Sequence, residues 1–154
     1  METPKIQVRR ANVHDLPILL QYEQGVIKAE RPFDPTIQKD PINYYDLKAL
    51  VQDEESCVVV AEVNGQVVAS GFALVKKARH YLDHEDYAYL GFMFTENGFR
   101  GQGINAKIID FLKDWAVQNG LKEIRLTVYC DNVPAIKAYE KVGFKKHMVE
   151  MRLE

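Results

Sequence analysis

Phe94-Thr95-Glu96-Asn97-Gly98-Phe99-Arg100-Gly101-Gln102-Gly103-Ile104-Asn105-Ala106 is the stretch of this chain with the most chemistry in its residue types and spacing. An apolar, strand-like run ends, glycines follow, and a helical pattern starts at once. N–H groups in a helix's first turn have no intrahelical partner, and the aligned peptide dipoles make that end electropositive. Glycines let the main chain approach a bulky anion with no Cβ in the way. The expected ligand of the turn from Gly101 to Ala106 is therefore a pyrophosphate. Arg100 adds charge or holds the turn by hydrogen bonds. Two other uses of these glycines compete. Taken alone, Gly101-Gln102-Gly103 is more often an ordinary strand-to-helix connection. Gly101-x-Gly103-x-x-Ala106 also fits the dinucleotide-binding fingerprint, with Glu123 about 20 residues further on. That fingerprint opens a first βαβ unit with several more behind it, and only about 50 residues remain here.

His80 and His84 have the i, i+4 spacing of a metal pair, but they fall in the polar loop Arg79–Asp86 with no adjacent third ligand. No metal is expected. Cys57 and Cys130 sit in apolar, strand-like runs without a CxxC partner, and read as buried free thiols of a reducing compartment.

The elements that must position the turn follow from periodicity. A strand at Lys5–Arg10 leads to a helix from about His14 to Ala29, with Leu16, Leu19, Leu20, Val26 and Ile27 at helical spacing. Prolines 32, 35 and 41 make Glu30–Pro41 an irregular connection. A second helix is expected over Ile42–Asp53. Ser56–Val63 and Gln66–Lys77 flank Asn64-Gly65, the strongest short hairpin signal. Tyr87–Thr95 is a third strand of this group. Helix Gly103–Asn119 lines Ile104, Ile108, Phe111, Leu112 and Trp115 on one face. Lys122–Tyr129 is then a strand, Val133–Val142 a helix ending at Gly143, and Phe144–Leu153 a final strand. A hairpin and meander followed by β-α-β give a mixed α/β sheet, mainly antiparallel, with helices on both faces.

At 154 residues and 47% hydrophobic, the chain has material for one core, so residues 1–154 are expected to be a single domain. A net charge of −2 offers no basic footprint for nucleic acid. No apolar run approaches the roughly 20 residues of a membrane span, and METPKIQVRR lacks the apolar stretch of a secretory signal. A cytoplasmic location is expected.

Two separated motifs carry a family resemblance. Arg100-Gly101-Gln102-Gly103-Ile104-Asn105 is similar to the Arg/Gln-x-x-Gly-x-Gly/Ala acyl-CoA turn of the GNAT superfamily of N-acetyltransferases. Asn132-Val133-Pro134-Ala135-Ile136-Lys137-Ala138-Tyr139-Glu140-Lys141-Val142-Gly143-Phe144 resembles that family's Asn-x-x-Ala-x-x-x-Tyr-x-x-x-Gly-Phe element. The element order fits across nearly the whole chain. Asn105 stands where the family's turn ends in Gly or Ala.

The resemblance implies a splayed parallel strand pair, with acetyl-CoA as acyl donor lying in the opening. It implies that main-chain groups of Met93, Phe94 and Thr95 pair with the pantetheine arm. Arg100, Gly101, Gln102, Gly103, Ile104, Asn105 and Ala106 would hold the pyrophosphate, and Asn132 would contact the arm from the other wall. The implied reaction is direct attack of a primary amine on the thioester, with a main-chain N–H near Phe94 polarising the carbonyl. Tyr139 aligns with a tyrosine placed near the sulfur. A phenol stays protonated at neutral pH and can donate to thiolate. The base is less marked: Tyr87–Thr95 has no carboxylate, and Thr127 occupies another position the family uses. Glu96, just past the strand end, is one candidate; Asp83, Glu85 and Asp86 are others. Acceptor recognition would fall to Glu30, Arg31, Phe33, Asp34, Tyr44 and Tyr45 and to loop Arg79–Asp86. The acceptor is a small-molecule amine or a peptide or protein amine, and monomer and homodimer are both open. Two alternatives remain: an acyl-CoA-binding sensor without catalysis, and a nucleotide-binding oxidoreductase.

Overall fold

Asn64 and Gly65 both adopt left-handed backbone angles, φ 51° and 82°, as a two-residue hairpin turn requires. They join β2 (Ser56–Val63) to β3 (Gln66–Lys77) where the sequence predicts it. The structure, a computed structural model, describes residues 5–154. β1 (Ile6–Arg10) pairs antiparallel with β2, and β4 (Asp86–Thr95) antiparallel with β3. After the crossover helix α3 (Ile104–Gln118), β5 (Ile124–Leu126) lies parallel to β4, giving a five-stranded sheet in the order β1-β2-β3-β4-β5.

Both faces of this sheet are covered. Cys57, Val59, Ala61 and Val63 of β2 join Ile104, Ile108, Ile109 and Leu112 of α3 in one apolar layer. Val58 and Val60 point the other way, to Leu19, Tyr22 and Val26 of α1 (Leu16–Glu30) and Leu47 of α2 (Leu47–Gln52). Two-sided burial is why β2 reads as an unbroken apolar run instead of an alternating one. The mixed, mainly antiparallel sheet with helices on both faces is the fold class expected.

At the start of α1, Asn12 and Asp15 form a reciprocal capping box around a short 3-10 turn. Arg9 grips the buried Asp15 carboxylate with two bonds of 2.8 and 2.9 Å and reaches Glu62 at 3.0 Å. The guanidinium holds the Asp15 carboxyl below its ordinary range, despite an opposing contribution from burial. Arg9→Ala should therefore destabilise the fold by about 2 kcal/mol, leaving a buried acid unpaired. Because the folded carboxyl titrates low, this contribution is present above about pH 4 and is lost as pH falls below it. Urea unfolding of both proteins at neutral and acid pH measures the difference. A gap equally large at pH 3 would exclude the ion pair as its source.

Four expectations are corrected. The second helix is only Leu47–Gln52, not Ile42–Asp53. Buried Glu23 explains this: its Oε2 accepts the N–H groups of Tyr44 (2.9 Å) and Tyr45 (2.7 Å), so those amides point at α1 and cannot propagate a helix. The helix starts after Asp46, whose side chain caps the Ala49 N–H at 3.2 Å. β5 ends at Leu126, short of Tyr129. The chain leaves the sheet there and turns at Tyr129–Asn132, so Cys130 is exposed, whereas Cys57 is buried as expected. The final strand is not paired: residues 145–154 lie outside the sheet, because a ladder needs a partner edge that apolar alternation alone does not supply.

Candidate active site

β4 is irregular at its centre. Ser70 faces Phe94 and Phe72 faces Gly91, so Gly71 stands opposite two residues, Phe92 and Met93, which is a β-bulge. Phe92 sits at φ 59°, a left-handed conformation that costs a bulky side chain about 1–3 kcal/mol. It is held there by burial of its ring against Tyr45 and Phe72, and by the Ser70 hydroxyl donating to its carbonyl at 3.1 Å.

Beyond the bulge the sheet opens. Parallel pairing of β4 with β5 covers only Ala88↔Ile124 through Leu90↔Leu126, while β4 continues to Thr95. The β5-side edge of residues 91–95 therefore faces a gap. The Glu96 N–H donates to Val68 O at 2.9 Å, so alternation turns the peptide groups of Phe94 toward β3 and those of Met93 and Thr95 toward the gap. The Phe94 ring packs on Tyr22, 4.7 Å between centroids.

At the end of β4 the Thr95 carbonyl accepts Arg100 Nε at 3.1 Å, so Arg100 holds the turn. Gly101 and Gly103 both lie at φ 77°, which a residue with a Cβ reaches only under strain. A Cβ added at either would meet nothing within 4 Å: the backbone angle, not crowding, demands glycine, and the space above is open. The first ladder bond of α3 is Lys107 N–H to Gly103 O at 3.2 Å. Gly103 offers no side-chain cap. The N–H groups of Ile104, Asn105 and Ala106 thus point out of an uncapped helix start, with Lys107 alongside and no acid in the first turn. Asn105 is half-buried there. These residues fit a diphosphate: free donors, an electropositive terminus and open space together.

The opposite wall is α4 (Val133–Lys141). Asn132 accepts the Ala135 N–H at 3.3 Å and so caps this helix, leaving its amide NH2 for other partners. Tyr139 is half-buried and meets Phe144 edge-on at 6.1 Å. Burial first, then the nearby Glu30 charge and Tyr89, push its hydroxyl up to about 12.

Glu30, the last residue of α1, is where the structure adds most. Burial raises the hydroxyls of Tyr44, Tyr45, Tyr129 and Tyr139, and the Glu30 charge adds to the shift in each. Burial in turn holds the Glu30 carboxyl above its ordinary range, with Tyr44 opposing and Asp34 adding to the shift. Asp34 accepts the Tyr129 hydroxyl at 3.2 Å, Phe33 stacks on the Tyr129 ring at 5.9 Å, and Tyr89 and Thr127 hydroxyls meet at 2.6 Å. Carboxylates walled by aromatic rings suit a cationic amine.

Of the acids singled out in the sequence, Glu96 accepts the Tyr22 hydroxyl at 3.0 Å on the α1 side of the sheet, and Tyr139 has Glu30, not Glu96, as its neighbouring charge. Loop Arg79–Asp86 borders residues 119–122 at the start of β4, a strand's length from the phosphate turn. Asp83, Glu85 and Asp86 lie there beside Asn119–Lys122, whereas the charge that acts on Tyr139 is Glu30. Sequence reasoning missed the Phe92 bulge, for which no local signal exists, and the half-buried carboxyl of Glu30, raised above its ordinary range. Pro32, which ends α1, was the signal that put Glu30 at a helix terminus.

The model of the acetyltransferase (GNAT) family matches residues 24–144. A streptothricin acetyltransferase of Escherichia coli is 30% identical over 122 residues, 79% of this chain. The chain spans 62–63% of the length of the first curated relatives it matches. Among solved structures, the BH1408 protein of Bacillus halodurans (a tetramutant) superposes with a TM-score of 0.83 at 20% identity, covering 96% of this chain and 99% of that one. A predicted acetyltransferase of Clostridium acetobutylicum, solved with acetyl-CoA, gives 0.69 at 19% identity, covering 97% and 96%. The splayed β4–β5 pair, the uncapped glycine turn and the match over most of the sequence agree: the chain belongs to the acetyltransferase (GNAT) family.

Proposed function

We propose that this protein is an N-acetyltransferase that uses acetyl-CoA and acts on a cationic primary amine. What supports the reading is an uncapped helix start behind two left-handed glycines, at the end of a strand whose outer edge is open, together with the Tyr139 hydroxyl under the Glu30 charge. Bound acetyl-CoA would supply the activated acyl thioester. The amides of Gly101 to Ala106 grip its diphosphate, with Arg100 and Gln102 shaping the turn. Met93 and Thr95 offer their outward peptide groups to the pantetheine arm as an added strand would. Asn132 faces the arm from α4. The bulge aims a main-chain N–H of the Phe92–Phe94 segment at the carbonyl oxygen.

Asp34 and the tyrosine rings orient the incoming ammonium, and Glu30 takes its proton. The freed amine bonds to the acyl carbon as the carbon–sulfur bond breaks; the Tyr139 hydroxyl gives its proton to the departing sulfur, and the second proton shed by the nitrogen restores that hydroxyl. Glu30, not Glu96, is the base in this scheme, because it is the acid beside Tyr139. No metal has a part in it. Free amines of small molecules, among them the aminoglycoside and streptothricin classes named for related proteins, and of peptides fit the chamber's charge.

Thiol release from acetyl-CoA with a panel of mono- and polyamines tests the reading. Turnover that depends on a cationic amine is the expected result; binding of CoA without turnover by any amine would favour the sensor. Gly103→Val should raise the dissociation constant for CoA at least about tenfold, since it strains the φ 77° position and sets a side chain in the diphosphate's space. Calorimetry measures this, and unchanged affinity would mean the diphosphate sits elsewhere.

A further inference from the structure

Leu19, Tyr22 and Val26 form the stripe that α1 turns to the sheet, and Glu23 lies beside them, 0% exposed. A carboxylate so placed is costly unless its oxygens are bonded. Glu23 meets half of that condition. Its Oε2 accepts the successive N–H groups of Tyr44 and Tyr45 at 2.9 and 2.7 Å, while its buried Oε1 has no partner among the described residues. Stability alone does not call for an acid here: an apolar side chain would complete the stripe and leave no orphaned oxygen. What the acid supplies is a fixed place for one turn of chain.

That turn carries two tyrosines, and each reaches a different part of the site. The Tyr45 ring stands edge-on to Phe72 at 4.9 Å and to Phe92 at 5.6 Å, so it is among the groups that keep Phe92 at φ 59° and the bulge in β4. Tyr44 serves the acceptor side. Burial has the largest part in the titration of both Tyr44 and Glu30. Beyond burial, their side chains act on each other as hydrogen-bond partners, which pushes the phenol up and draws the acid down. The neighbouring Gln24 also ties this stretch to α1, donating from Nε2 to Ile42 O at 2.9 Å, but that bond is exposed. The buried pair at Glu23 is the firmer hold.

We infer that Glu23 is a positioning residue for acyl transfer: by gripping two successive amides it sets both where Tyr44 meets Glu30 and where Tyr45 braces the Phe92 bulge. Fully buried, it touches neither amine nor thioester. This role presupposes the acyl-transfer reading and adds the group that holds the acceptor side in register with the bulge. The reach of the side chain is what counts. With the accepting oxygen drawn back, both tyrosines shift together, and a displacement of about 1 Å at such a site costs up to about 100-fold in rate. Charge counts for less, because a neutral amide oxygen accepts the same two N–H groups.

Two substitutions separate reach from charge. Glu23→Asp keeps the charge and shortens the side chain by one methylene; Glu23→Gln keeps the length and drops the charge. Rates are taken per CoA-binding site titrated by calorimetry, so a loss of folded protein alone leaves them unaltered. Glu23→Asp should lower kcat/KM for a cationic amine at least about tenfold per site, with CoA affinity held within a factor of about two. Its Tyr44 and Tyr45 amides should exchange at least about tenfold faster than in the unaltered chain. Glu23→Gln should stay within about threefold of the unaltered chain in both measurements. An undiminished per-site rate in Glu23→Asp would overturn the positioning role. So would a Glu23→Gln slower than Glu23→Asp, which would put the charge in control instead of the grip. If Glu23→Asp does not fold, Glu23→Gln decides, since a loss there of about tenfold or more also overturns the role. Failure of the unaltered chain to acetylate any amine is a separate result, and it would end the acyl-transfer reading and this role together.

Discussion

Glu30→Gln should lower kcat for amine acetylation by about 100-fold or more, with the affinity for CoA held within a factor of about two. The substitution keeps the size of the side chain and removes only its capacity to take a proton. Burial raises the pKa of the native carboxyl above its ordinary value, so the carboxylate is a stronger base near neutrality. The sign of the pH effect follows. The base works when deprotonated, so activity of the unaltered enzyme should fall as pH drops through this raised value, at a pH above that of an ordinary glutamate. In the variant that acid limb should disappear. Tyr44, Tyr45, Tyr129, Tyr139 and Asp34 face the same carboxylate, and none of the tyrosines titrates in this acid range. A steady-state pH profile with one cationic amine decides the matter. An acid limb of the same position and depth in Glu30→Gln would remove Glu30 from the proton path, and Glu96→Gln would then be the next substitution to measure.

Tyr139→Phe is expected to lower kcat by about 10- to 100-fold while leaving CoA binding nearly unchanged, because only the proton for the departing sulfur is lost. The ring's contact with Phe144 and its place in the apolar layer persist in phenylalanine, so the thermal midpoint should move little. With its hydroxyl pushed up to about 12, Tyr139 remains a donor throughout the neutral and mildly alkaline range. Any alkaline decline below about pH 10 must therefore come from another group. If the variant turned over at the native rate, solvent would be the proton source and Tyr139 a packing residue. A loss that instead appeared wholly in CoA affinity would place the ring on the cofactor.

The glycine turn was legible in the sequence because everything it needs is local. Gly101 and Gly103 are required by two backbone angles, and the free amides follow from the start of a helix. The hairpin at Asn64-Gly65 and the apolar periods of β2 and α3 belong to the same kind of information, repeating at two or 3.6 residues along one segment. Chain order then sets the parallel β4–β5 pair, because a helical crossover leaves little choice of direction. The second helix was misjudged from the same patterns, since a buried carboxylate 21 residues earlier, Glu23, claims the Tyr44 amide that a helix would have used.

The chamber is a different matter. Glu30, Asp34 and Tyr44 precede β2 in the chain while Tyr129 and Tyr139 follow β5, and only folding brings Tyr129 to Asp34 and sets the Glu30 charge on the tyrosine hydroxyls. Nothing in the spacing of five such residues announces their meeting, and a carboxylate's usefulness as a base depends on desolvation by side chains far away in the chain. Phe92 makes the same point on the backbone. Residue type argues against a left-handed phenylalanine, and the conformation exists because Ser70, Tyr45 and Phe72 hold it from across the sheet. Local rules of conformation thus wrote the glycine turn and its open helix start into the order of residues, while proximity and burial, which are properties of the packed chain, assembled the groups proposed to move protons.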